Sequence, residues 1–364
     1  HVTVFEELSQ PGGMLRWAIP SYRLPRNILD GEIDDVRALG VEIRCNTRIG
    51  RDISFAKLSE DYDYTYLAPG AHKSQPMGVK GEDLFGVYGG VEFLRDFNDN
   101  EAAWMNGEKT LGARVAVIGG GNSAIDAARC AARMGAEVTI LYRRLRQDMP
   151  AAVEEIEAAE HEGIKIEYLV APTKIIGANG KVTGICVEQM KLGDFDRSGR
   201  KRPEPIEGSE YTLAVDSVIA AIGQVPDLSF VPKDSGVGIN KWDTFDLTEG
   251  SKSQTTRATF YAGGDAVTGP DTVIAAIAAG HRAADDIDAA IRLKNGEEPW
   301  EEPVEEKIDI PLIIDEESTE APQTPMPELD GATRILSFAE VELGFSIDDA
   351  VKEATRCLRC DAEI

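Results

Sequence analysis

An α/β fold with a repeated βαβ unit is predicted by three observations. Arg114 to Arg144 reads as strand, glycine turn, helix and strand. The pattern of its last strand, Glu137-Val138-Thr139-Ile140-Leu141-Tyr142, recurs at the N-terminus as His1-Val2-Thr3-Val4-Phe5-Glu6. A second echo joins Tyr66-Leu67-Ala68-Pro69-Gly70-Ala71 to Ile219-Ala220-Ala221-Ile222-Gly223-Gln224, both apolar strands ending in small-residue turns.

The complete unit shows its chemistry. Val115 to Ile118 is an apolar run of buried-strand type. Gly119, Gly121 and Ala124 hold the G-x-G-x-x-A positions between that strand and a helix from Asn122 to Met134. Gly119 allows the tight turn, Gly121 lets a pyrophosphate approach the backbone, and Ala124 lets the helix pack close. Asn122 and Ser123 open the helix, whose free N–H groups and positive dipole end suit phosphates. This is a dinucleotide-binding unit. At the end of its second strand an NAD site carries an acid, whereas here stand Arg143 and Arg144. Two guanidinium groups suit a 2′-phosphate and favour NADP(H) over NAD(H). A solvated surface pair is the other reading, and position speaks for phosphate.

In the first, partial unit Glu6 takes the place of Tyr142, where a carboxylate binds a ribose hydroxyl, as in an FAD or NAD site. Alignment with Arg114 to Glu137 implies that roughly two dozen residues of this unit are missing: strand, glycine turn and most of a helix. The expectation is an N-terminally truncated fragment.

At 364 residues the chain has room for two or three domains. A net charge of −26 argues against nucleic acid as a partner. No apolar run reaches membrane-spanning length. Cys45, Cys130 and Cys186 are scattered and Cys357 and Cys360 stand at CxxC spacing, which is no secreted disulfide framework, so the expected compartment is the cytoplasm.

In chain order, Pro11-Gly12-Gly13-Met14 offers glycines for close approach to a flat ring. Arg23 follows in a proline-bounded turn, facing either a cofactor phosphate or ribityl chain or solvent. Pro25 to Leu39 reads as a helix stopped by Gly40, and Val41 to Cys45 as a strand. Gly107 to Ala113 suits a domain crossing. Val153 to Glu162 is an acidic helix whose glutamates read as a solvated face. Lys191 to Gly208 reads as a loop or hairpin. Ala221-Ile222-Gly223 ends a strand where a nucleotide would lie. Phe260 to Asp265 is a strand running into Gly263-Gly264-Asp265, and Thr272-Val273-Ile274 opens an alanine-rich helix, with His281 on its surface. Glu297 to Glu328, acidic with six prolines, reads as an extended linker. Phe338 to Leu343 and Ser346 to Cys357 read as a docking segment and a helix.

Taken together, PGGMLRWAIPSYRLP, GGGNSAIDAAR, YRR with MPA downstream, and AGGD with TVIAAIAAG resemble the small-subunit family of glutamate synthase, from about Val2 to Leu293. This FAD- and NADPH-dependent group includes the matching domains of dihydropyrimidine dehydrogenase and of ferredoxin:NADP oxidoreductases. The resemblance implies two nested Rossmann-like domains: an FAD domain in segments 1–111 and 227–296, an NADP domain at 112–226, and a linker with a CxxC segment at 297–364. It implies that Glu6 holds the FAD ribose, that Gly13, Met14 and Arg23 line the flavin nucleotide, and that Ile49 touches its adenine side. Asp265, beside Gly264, would bond the ribityl or phosphate end. The N–H groups of Val273 and Ile274, after Thr272, would face the pyrimidine edge of the reduced ring. One departure is Pro69, where the family usually has threonine, which removes an N–H and a hydroxyl.

The expected function is hydride transfer from NADPH to FAD, with electrons passed to an iron–sulfur centre, a partner subunit or a ferredoxin-like protein. Cys357 and Cys360 supply half the ligands of a 4Fe–4S cluster completed outside this chain, or else a redox-active or idle dithiol. The alternatives are a non-catalytic scaffold subunit and an NADH-specific version of the same module.

Overall fold

The computed structural model describes residues 1–195, 199–298, 300 and 321–356. The chain opens with β1 (Thr3–Phe5), α1 (Gly13–Trp17), α2 (Arg26–Ala38) and β2 (Glu42–Arg44). Gly40, at φ 89°, turns the chain from α2 into β2, which pairs parallel with β1. Next come α3 (Phe55–Asp61), β3 (Thr65–Leu67), β4 (Lys73–Ser74), β5 (Val87–Gly89), α4 (Gly90–Asp99) and α5 (Glu101–Met105).

The predicted central unit is present as β6 (Arg114–Ile118), α6 (Asn122–Arg133) and β7 (Glu137–Tyr142), followed by α7 (Val153–His161) and β8 (Lys165–Tyr168). An antiparallel sheet then forms from β9 (Val170–Ala178), β10 (Lys181–Phe195), β11 (Lys201–Pro205) and β12 (Tyr211–Leu213). The chain re-enters the parallel sheet as β13 (Ser217–Ala220) and leaves through β14 (Gln224–Val225). It continues with β15 (Phe260–Ala262), α8 (Asp265–Thr268) and α9 (Val273–Asn295), and ends with α10 (Gly331–Arg334) and α11 (Ile347–Ala354).

Five parallel strands lie in the order β5-β13-β6-β7-β8. Such a sheet must be covered on both faces, which is why β6 from Val115 and β13 from Val218 are apolar and buried. On one face Val115, Val117 and Ile140 pack with Leu94 and Phe97 of α4, Ile125 of α6 and Ile156 of α7. On the other, Ala116, Ile118 and Val218 pack with Ile175, Ile185 and Val187 of the antiparallel sheet. Fully burying one such side chain contributes about 1.5–3 kcal/mol. A further core gathers Phe55, Leu67, Phe245 and Phe260 beneath the parallel pair β3–β15, with the Phe55 and Phe260 rings stacked at 5.2 Å.

Two expectations are corrected. The boundary at residue 111 falls too late: Val87 to Gly89 pairs with Val218 to Ala220 as the edge of the five-stranded sheet, and α4 joins its helix layer. The chain crosses between units on the antiparallel pair β4–β14. The glutamates of α7 and the residue after it are not simply a solvated face. Glu162 has no exposed side chain and pairs with Arg129 at 2.7 Å and Arg133 at 2.6 Å, while Glu155 binds Arg23 at 2.8 Å and also Arg129. The hairpin reading of Lys191 to Gly208 agrees with the antiparallel pairing of β10 with β11, from Met190 opposite Pro205 to Phe195 opposite Lys201.

The C-terminal segment docks as expected. Phe338 meets the Phe97 ring at 4.8 Å, Val341 N–H donates to Tyr22 O at 3.1 Å, and Arg334 reaches Glu162 at 3.4 Å. Cys357, Cys360 and most of the acidic linker lie outside the described residues.

Candidate functional site

A cleft of about 1440 Å³ runs from the carboxyl ends of β6, β7 and β13 to those of β1, β3 and β15. This is the place where open parallel sheets bind ligands. The volume exceeds the roughly 300–1,000 Å³ of a single small-ligand pocket. It suits a long ligand or two ligands end to end.

The glycine turn forms the middle of one wall. Each of its three glycines is held to that type by something different. Gly119 has φ 141°, and a Cβ there would stand 2.1 Å from Ala221 O. Gly120 has the Tyr142 ring against it, 2.6 Å from where a Cβ would be. At Gly121 the backbone is extended (φ −92°, ψ 174°) and the nearest protein atom to a Cβ is Pro150 Cγ at 3.8 Å. Protein packing therefore explains the first two glycines and leaves the third facing open space. That open space over the first turn of α6 fits the close approach that a pyrophosphate needs. Gly120 was missed from sequence, although three glycines in a row were there to signal it. The Gly120→Ala variant is expected to lose about 1–3 kcal/mol from overpacking, read as a lower urea midpoint. An unchanged midpoint would show that the Tyr142 ring moves aside freely.

The neighbours of the turn are tied to structure. Ala124 is fully buried, as its packing role requires. Asn122 Oδ1 accepts from Ala152 N–H at 3.1 Å and so pins the start of α7. Ser123 Oγ accepts from Gln224 Nε2 at 2.9 Å, linking the turn to β14. Ala221, Ile222 and Gly223 line the cleft next to it, with Gly223 at φ 152°.

The two arginines after β7 differ. Arg143 is exposed into the cleft, whereas Arg144 is buried and donates from Nε to Lys201 O at 3.0 Å. Arg200, from the β10–β11 hairpin, lines the same end and was not singled out from sequence.

On the opposite wall Glu6, Gly13, Met14 and Ile49 all reach the cleft. Burial pushes the Glu6 carboxyl up, against the N–H of Leu8 that bonds it at 2.8 Å. Gly264 and Asp265 sit at the start of α8. Burial raises the Asp265 carboxyl too, while its Oδ1 accepts from Asp271 N–H at 3.2 Å. Thr272 caps α9, accepting from Ala275 N–H at 3.3 Å, and Val273 borders the cleft. The Ile274 side chain is 74% exposed and stands outside the cleft lining, so its N–H alone belongs to the helix end.

Arg23 lines the cleft but its guanidinium is committed elsewhere. It meets both oxygens of Asp126, at 2.9 and 3.0 Å, as well as Glu155. These bonds tie the first unit to α6 and α7 from a position on the cleft wall. His72 was missed from sequence. Burial beside Arg95 lowers its imidazole to about 4, so it faces the cleft uncharged near pH 7. Among the described residues no group of three or more His, Cys, Asp or Glu is placed to hold a metal ion, and no helix is long and apolar enough to cross a membrane.

Residues 25–280 match the family described as pyridine nucleotide-disulphide oxidoreductase. The chain is 41% identical over 394 aligned positions to the NADPH-Fe(3+) oxidoreductase subunit beta of Geobacter sulfurreducens, covering 98% of this chain and 57% of that protein. It is 42% identical over 367 positions to the NADP(+)-dependent formate dehydrogenase subunit beta of Moorella thermoacetica, covering 99% and 51%. With the glutamate synthase [NADPH] small chain of Escherichia coli it shares 34% identity over 299 positions, covering 78% and 62%. The chain thus spans between half and two thirds of the length of these relatives. Mycobacterium tuberculosis FprA in complex with NADPH has the same fold, with a TM-score of 0.66 at 21% identity over 83% of this chain and 80% of that one. Thioredoxin reductase from T. acidophilum follows at 0.57 and 21%, over 78% and 88%. By fold, family match and relatives, this chain belongs to the pyridine nucleotide-disulphide oxidoreductases, a family of FAD- and NAD(P)H-dependent oxidoreductases.

Proposed function

We propose that the chain is an NADPH-oxidising flavin module that hands electrons to a partner subunit. The observation that carries this is Gly121, the one glycine of its turn that protein packing leaves unexplained, beside an arginine-lined cleft end. In this reading the first turn of α6 binds the NADP(H) pyrophosphate and Arg143 its 2′-phosphate. Glu6 accepts from the ribose hydroxyls of FAD, Asp265 from its ribityl chain, and the N-terminus of α9 faces the flavin ring. Bound FAD would supply a hydride acceptor for NADPH and a donor of single electrons. The protein stacks, orients and shields these groups, and no side chain is assigned as a general acid or base.

The relatives support a partner, being named as subunits or a small chain of NADPH- or NADP(+)-dependent enzymes. The acceptor belongs to that partner: an iron–sulfur centre or a ferredoxin-like protein. Cys357 and Cys360 would give half the ligands of such a centre. A cytoplasmic setting fits the scattered cysteines.

Titrating the protein with NADPH and NADH tests the assignment. The Arg143→Ala variant is expected to bind NADPH about ten- to a hundredfold more weakly, the equivalent of one charge-assisted hydrogen bond, with NADH unchanged. Equal losses for both would remove the 2′-phosphate reading.

A further inference from the structure

Helix α4 buries Leu94 and Phe97 in the core of the second unit and places Gly90, Val91 and Arg95 on the cleft wall. Arg95 also reaches across to the first unit. Its Nη2 donates to the carbonyl oxygen of His72, just before β4, at 2.6 Å. That single bond leaves most of the guanidinium unused. Nε is shut off from solvent and has no hydrogen-bond partner, and Nη1 makes no hydrogen bond among the described residues. Leaving a buried donor unpaired is costly.

The charge of Arg95 is also uncompensated. No ion pair neutralises it among the described residues, whereas on the same cleft Arg48 meets Glu7 at 2.7 Å and Arg23 meets Asp126 at 2.9 Å. Burial raises the Glu6 carboxyl and the Arg95 charge works the other way, so the two groups feel each other. His72 adds no second charge, since burial and then Arg95 lower its imidazole to about 4. A guanidinium held at a cleft without a counter-ion suits an anion, and its hydrogen bonds to phosphate are of the strong, charge-assisted kind.

Position selects the anion. In the reading above, Glu6 takes the ribose of FAD and Asp265 its ribityl chain. The diphosphate joins those two parts, so it is the anionic part of FAD next to the sugar that Glu6 holds. We propose that Arg95 is a further FAD-binding residue, donating to the diphosphate, and that through α4 the second unit thereby forms part of the FAD site. This rests on the FAD reading above and extends it to a residue outside the first unit.

The test strips the full-length protein of flavin and titrates FAD back, at low and high salt, into the wild type and the Arg95→Ala and Arg95→Lys variants, with a urea midpoint for each. The FAD-loaded proteins are then titrated with NADPH. Arg95→Ala is expected to bind FAD about ten- to a hundredfold more weakly, with a flatter salt dependence and unchanged NADPH affinity. Arg95→Lys, which keeps the charge and loses the planar fork, is expected to fall between. Unchanged FAD affinity in Arg95→Ala would overturn the inference and leave the FAD reading standing. Equal weakening in both variants, with the salt dependence of the wild type and lowered urea midpoints, would also overturn it, in favour of a purely structural tie to His72. A loss confined to NADPH would assign the charge to the other dinucleotide and overturn it as well. If the wild type itself takes up no FAD, the FAD reading falls and this inference with it.

Discussion

The Glu162→Gln variant is expected to lose about 3–5 kcal/mol of stability, the cost of leaving buried charges without their partner. Glu162 has a fully buried side chain, and so does Arg133, with Arg129 2% and Arg334 4% exposed. One carboxylate holds all three guanidinium groups. Arg129 retains Glu155, and Arg334 retains Glu328 at 2.7 Å, but Arg133 keeps only carbonyl oxygens and the faces of Tyr22 and Phe338. For a chain of this size the loss corresponds to a fall in Tm of about 5 °C. The pH dependence has a definite sign. Burial works to raise the Glu162 carboxyl, and the hydrogen bonds from Arg129 and Arg133 outweigh it, so the group lies below its ordinary 4.5. Its contribution is therefore complete above about pH 4.5 and fades as pH falls through the lower folded-state value. Urea melts from pH 7 down to pH 3 should show the wild type approaching the variant in acid. Parallel curves would place the stabilisation elsewhere.

The Gly121→Val variant should fold normally and bind NADPH at least ten- to a hundredfold more weakly, the loss of one charge-assisted hydrogen bond to the backbone. No protein atom opposes a Cβ at this residue within 3.8 Å, and its extended φ is open to any residue type. A branched side chain would instead fill the space over the first turn of α6. Gly119→Ala is the contrasting case: a Cβ meets Ala221 O at 2.1 Å in a left-handed backbone, so stability falls first. The two are separated by measuring urea midpoint and NADPH affinity on each. Unchanged NADPH affinity in Gly121→Val would move the pyrophosphate away from this turn.

Where local pattern carried the information, sequence reasoning reached the structure. Strand β7 and the start of α6 stand where the periodicity placed them, because a buried parallel strand and a glycine turn each leave a short, contiguous signature. In the cleft, Gly119, Gly121 and Arg143 were legible for the same reason, Met14 and Ile49 came from the family resemblance, and His72 and Arg200 were missed. What was not legible depends on pairing over long sequence distances. Arg23 finds Asp126 103 residues away, and Glu162 finds Arg129 and Arg133 33 and 29 residues away. An acidic helix read alone looks solvated. The signal lay on the other element, where Arg129 and Arg133, one helical turn apart, interrupt an alanine-rich helix that is buried nearly all round. The early start of the second unit at β5 was hidden similarly, since three residues gain meaning only beside β13. Arg200 was hidden because a hairpin fold, not sequence proximity, brings it to Arg143.

The most direct test of the central claim is a visible absorption spectrum of the full-length protein, taken anaerobically before and after NADPH is added. The account predicts flavin bands that bleach with NADPH, and bands that persist in Gly121→Val under the same addition. A colourless protein that added FAD does not colour, or flavin bands that NADPH leaves untouched, would contradict it.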